Sequence, residues 1–131
     1  MVFDHKLQTL KNCKMTSKIM YWIPRVLTII FILFMTMFSL DVFGGDESIG
    51  AKMLGFLIHN IPVLIIIAIL IIAWRQEIIG GALLMLAALT GTHFYHSFAG
   101  NPWSLVVLAP FFFTGILFIL HQVLFPGKKK V

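Results

Sequence analysis

The sequence predicts an all-α, polytopic membrane protein: a bundle of four transmembrane helices with both termini in the cytoplasm. Three observations point there. Sixty per cent of the 131 residues are apolar and only 11% are charged, against about 25% charged in a soluble domain, and the mean hydropathy is +0.98. The apolar residues are gathered into four long runs. The basic residues fall almost entirely on one side of those runs, the pattern that orients membrane helices. The length suits one domain: a basic cytoplasmic segment over 1–22, a transmembrane domain over 23–125 and a polybasic cytoplasmic tail over 126–131.

The first span, about 23–43, contains IIFILFMTMFSL without a charge. Its basic leader invites comparison with a cleaved signal peptide, but the apolar core exceeds the usual 7–15 residues or so. No small-x-small site follows in SLDVFGGD, so the span reads as a mature helix. The second span, about 53–74, ends in VLIIIAILIIAW and is apolar all round. The third, about 77–96, is rich in small residues, and the fourth runs over about 103–125. Each approaches the roughly 20 residues needed to cross about 30 Å of hydrocarbon. Strands of a membrane barrel are about 10 residues long and alternate in polarity, which nothing here does. Helices therefore remain the structure that satisfies every backbone group in lipid. Ahead of the first span, residues 1–20 read as a weakly amphipathic surface helix, with Phe3, Leu7 and Leu10 on one face and Lys14 intruding on it.

Orientation follows from Lys and Arg. Lys6, Lys11, Lys14, Lys18 and Arg25 precede or open the first span, Arg75 lies in the tight connection between spans two and three, and Lys128, Lys129 and Lys130 close the chain. These nine share one side, and Lys52 alone is on the other, with Asp41, Asp46 and Glu47. Both termini are expected inside. Trp22, Trp74 and Trp103, with Arg75, Tyr21 and Tyr95, read as interface anchors, because an indole or phenol keeps its ring in hydrocarbon and its polar atom in headgroup water. The basic pI near 9.7 fits anionic lipid contact through Lys128, Lys129 and Lys130 rather than nucleic acid. The single cysteine, Cys13, excludes an internal disulfide and a cysteine-based zinc site.

Small residues nominate the packing surface. Ala87 and Gly91 form a small-xxx-small pair, Gly80 lies on a similar face, and Gly115 offers one close approach in span four. Span three is expected to be the packing centre. Pro62 and Pro110 lie inside spans two and four and predict kinks, each leaving the carbonyl four residues earlier, Ile58 or Val106, without its helical donor.

Ionisable residues within a span are costly and are functional candidates for that reason. Asp41, His59, His93 and His96 all belong to the outer half. His59 lies 15 residues before Trp74 and His93 lies 16 after Glu77, so both sit roughly 22–24 Å above the inner surface at 1.5 Å per residue. Neutral imidazoles at one level on antiparallel neighbours suit a metal ion, a proton relay or a b-type haem. The competing account makes them interfacial residues and Asp41 a helix end. His121 reads as interfacial rather than as a ligand. The inner halves of the spans offer no acidic residue, which argues against an exporter with a central carboxylate. No CxxC, CxxCH, GxSxG, HExxH or GxxxxGK[ST] motif is present, so redox-disulfide, c-type haem, hydrolase, zincin and NTPase chemistry lack support.

The blocks HNIPVLIIIAILIIAWRQEIIGG (59–81) and PWSLVVLAPFFFTGILFIL (102–120) resemble a family of small, uncharacterised prokaryotic membrane proteins with four helices, a domain of unknown function. The likeness runs from about Arg25 to Leu124 and includes Arg25, Asp41, His59, Pro62, Trp74, Arg75, Gly81, Pro110 and Gly115. It implies the same topology and no activity. The expectation is a non-catalytic subunit or assembly partner in the cell (inner) membrane, without a cofactor, contacting lipid and other membrane proteins or itself. The alternative is a protein that handles a metal ion, protons or haem through the outer histidines.

Overall fold

The structure, a computed structural model, describes residues 1–126; Lys128, Lys129 and Lys130, expected to contact lipid, lie outside the described residues. Every apolar run is a helix. α1 spans Val2–Ser39, followed by a 3-10 turn over Leu40–Gly44; α2 spans Ile49–Arg75, α3 Glu77–Phe94 and α4 Trp103–Leu124. All four are long and apolar enough to cross a membrane.

α1 departs most from expectation. Residues 1–20 do not form a separate surface helix but continue unbroken into the first span. No Gly or Pro interrupts the chain before Pro24, so nothing in the backbone marks where a membrane would begin. At 1.5 Å per residue the 38-residue helix is about 57 Å long. Pro24 sits within it, and the hydroxyl of Thr28 donates to the Pro24 carbonyl at 2.7 Å. Thr114 repeats the device on α4, donating to the Pro110 carbonyl at 2.6 Å. α2 starts earlier than expected because Ser48 caps it, accepting from the Ala51 N–H at 3.4 Å. α2 and α3 are joined by Gln76 alone, which makes them antiparallel neighbours.

The helices pack in cyclic order: α1 on α2, α2 on α3, α3 on α4 and α4 on α1, with α3 and α4 the most intimate pair. Span three shares the two closest of these contacts, with α4 and with α2, as its small residues lead one to expect. Its small residues serve two flanks. Gly81 lies against α4, where an added Cβ would meet the Gly115 carbonyl at 2.6 Å, and Gly115 reciprocates against the Gly81 carbonyl at 2.6 Å. Gly91 meets Leu108 of α4, whereas Gly80 abuts Ala73 of α2. Backbones this close gain dispersion contacts that larger side chains would block. The buried core comes from α2, α3 and α4, with Ile66, Ile69, Leu70, Ala73, Leu84, Ala88, Phe111 and Phe118; α1 adds only the partly buried Phe31, Ile32 and Met35. What α1 does bury is mostly small or polar: Ser17, Pro24, Arg25, Thr28 and Ser39.

Candidate functional site

The polar centre of the molecule lies at the end where α2 turns into α3. Arg25 is fully buried, Glu77 is 7% exposed and His121 is 4% exposed. One Glu77 oxygen accepts from Arg25 NH2 at 2.7 Å, and the other pairs with His121 Nδ1 at 2.5 Å. A single carboxylate thereby ties α1, α3 and α4 together. The α1–α3 link crosses the diagonal of the ring.

Each group is placed by its helix. Glu77 is the first residue of α3, where the unpaired N–H groups and the helix dipole favour a carboxylate. His121 is in the last turn of α4, where the dipole favours a donor or cation. Arg25 lies one residue beyond Pro24, and its NH1 donates to the Tyr21 carbonyl. The guanidinium is sandwiched: its Cζ is 3.5 Å from the Tyr21 ring centroid and 5.2 Å from that of Phe118. Tyr21 also meets His121 edge-on at 5.5 Å, and Phe125 covers the imidazole from 5.6 Å. A buried charge is tolerated only when it is paired and hydrogen-bonded, and these contacts meet that demand for Glu77. Among the described residues, Arg25 Nε and His121 Nε2 are buried without a hydrogen-bond partner. The site is thus a closed ion network inside an aromatic wall.

The outer residues are arranged otherwise. His59 is exposed on α2, His93 is exposed in the last turn of α3, and Asp41 is exposed in the 3-10 turn. His96 is exposed in the connection to α4 at φ 51, a left-handed conformation in which histidine is enriched. Its carbonyl accepts from the Ala99 and Asn101 N–H groups, so it shapes the turn. Among the described residues no group of three His, Cys, Asp or Glu comes together in metal-binding geometry. Asn60, beside His59, is buried and donates to the Phe56 carbonyl at 2.8 Å. Trp22, Trp74 and Trp103 are 50%, 41% and 79% exposed, and Arg75 is exposed.

Three readings from sequence are corrected at the junction end. An acidic residue does occupy that half of the bundle, since Glu77 lies inside the packed helices. His121 is not interfacial but buried on Glu77. Likewise Arg25, counted with the basic residues that open the first span, is enclosed and paired with Glu77. A signal for this existed. Arg25 lies three residues after the Trp22 anchor, Glu77 opens span three just past Trp74, and His121 stands near the close of span four, which places all three at one end of the bundle.

The family model described as a domain of unknown function (DUF7670) matches residues 13–131. The chain belongs to this family. The match covers the network, all of α2, α3 and α4, and α1 from Cys13 onward. No curated protein and no solved structure matches.

Proposed function

We propose that this member of the family is a multi-pass protein of the cell membrane, with both termini in the cytoplasm, and that its role is non-catalytic: a small subunit or assembly partner for other membrane proteins or for further copies of itself. The observation that carries this reading is the closed Arg25–Glu77–His121 network. Both oxygens of its carboxylate are spent on Arg25 and His121 behind Tyr21, Phe118 and Phe125, so the network holds three helices in one arrangement rather than facing a substrate. Buried ionic groups that fix a packing register are a known use of such costly interactions.

The outward surface supports a membrane setting. Large apolar residues are exposed along all four helices, from Ile23, Val26, Ile30 and Leu33 on α1 to Val106, Phe113 and Leu120 on α4. Soluble monomers rarely expose apolar patches beyond a few hundred Å². Orientation is supported even with Arg25 set aside as neutralised: among the described residues Lys6, Lys11, Lys14, Lys18 and Arg75 remain at its end, against Lys52 at the other.

Purification from native membranes in mild detergent tests the role. The visible spectrum, bound metals and co-purifying proteins are measured on one preparation. A colourless, metal-free protein with a stoichiometric membrane partner or a defined homo-oligomer is expected. A Soret band or stoichiometric metal would overturn the proposal.

A further inference from the structure

At the junction end α2 and α3 touch closely, with Gly80 against Ala73. Toward the opposite end a cavity of about 340 Å³ lies between them and reaches all four helices. Met35 of α1 and Phe111 of α4 contribute its floor, and Ala87 and Gly91 keep its α3 wall low. Ile65 of α2 and Tyr95 beyond α3 are exposed, so the mouth opens sideways between these helices. Between Ala87 and Tyr95 the wall rises about 12 Å. The lining is almost wholly apolar. The Thr90 hydroxyl is turned back on its own helix, donating to the Leu86 and Ala87 carbonyls at 2.9 and 3.0 Å.

From this geometry we infer that the slot is a binding site for one acyl chain of a membrane phospholipid; the inference rests on the membrane reading above. An apolar cavity of about 150 Å³ stays dry and takes up benzene, and this one is more than twice that size. The Thr90 proton is already given to its own helix, so water finds only an acceptor there, whereas a hydrocarbon chain replaces missing dispersion contacts along the whole wall. The apolar wall, about 12 Å high, and the lateral mouth fit a chain entering from the bilayer. The headgroup then lies at the level of Tyr95, beside His93 and His96 in sequence. Chemically this is a lipid-chain site with a polar rim.

The test uses the full chain in phosphatidylcholine nanodiscs doped with a phosphatidylcholine that carries a diazirine midway along one acyl chain. After irradiation, adducts are mapped by peptide mass spectrometry. Adducts on residues 87–95 are expected to exceed those on the open faces at Val26 and Ile30 severalfold. Ala87→Phe fills the slot and should lower the 87–95 adducts at least fivefold while leaving Val26 and Ile30 unchanged. Ile65→Trp, which narrows the mouth from an exposed position, is the second variant and decides the matter if the first loses its helical circular dichroism. Slot labelling no higher than that of the open faces, or unchanged in the folded variants, would overturn the inference. Failure to label Val26 and Ile30 in any sample would instead contradict the membrane reading itself.

Discussion

Glu77 is the residue on which the others depend. Removing one partner of a buried ion pair leaves the other charge uncompensated, at a cost of about 3–5 kcal/mol, whereas replacing all partners by apolar groups is often neutral or stabilising. Glu77→Ala should therefore lower stability in detergent by about 3–5 kcal/mol, measured by thermal unfolding followed by circular dichroism. The triple change Arg25→Met, Glu77→Leu, His121→Leu should recover most of that loss. A triple variant as unstable as Glu77→Ala would show that the ionic contacts themselves, not their balance, hold the helices. Arg25→Lys is not a conservative change here. A lysine cannot lie flat on Tyr21 while also bonding Glu77 and the Tyr21 carbonyl, so a clear loss is expected in the same assay. None of this was legible from residue types alone. Arg25 resembles an inside-positive flank, Glu77 a helix start and His121 an interfacial residue. Their common end of the bundle was readable from the Trp22 and Trp74 anchors and from the place of His121 near the close of span four. Rotation about each helix was not, because a run apolar all round, as in α2, carries no facing signal.

At the scale of elements, the α3–α4 contact is the least forgiving. The Gly81 and Gly115 carbonyls each stand 2.6 Å from where the other residue's Cβ would be, so Gly81→Leu must push the two backbones apart. A loss of at least about 2–3 kcal/mol is expected, while Gly45→Leu, with open space around it, should change little. The N-terminal stretch of α1 is the opposite case. Residues 2–11 are exposed throughout, and the side-chain bond made by Thr9 stays within the helix. Deleting residues 2–11 should leave the unfolding temperature of the bundle within about 1–2 °C of the full chain, as expected where no buried contact is lost. Helix existence and order were legible in the apolar runs. The unity of α1 was not, because Trp22 marks a change of surroundings and a helix without breakers runs straight through such a change. The glycines of span three announced close packing, but not that Gly81 and Gly91 serve α4 while Gly80 serves α2.

For the whole molecule, the apolar exterior, the basic end and the closed network describe one object: four helices fixed at one end by buried charge and parted at the other by a slot. In the proposed reading the apolar exterior meets lipid and the charge asymmetry sets the direction of insertion. Cys13 is the single cysteine and is exposed on α1, which makes the topology directly measurable with a membrane-impermeant maleimide in intact and permeabilised cells. Cys13 should react only after permeabilisation. In a Cys13→Ser background, cysteines introduced at Gly45 and Asn101, in the connections at the other end, should react in intact cells. Labelling of all three positions under the same condition would contradict a four-span protein with both termini inside.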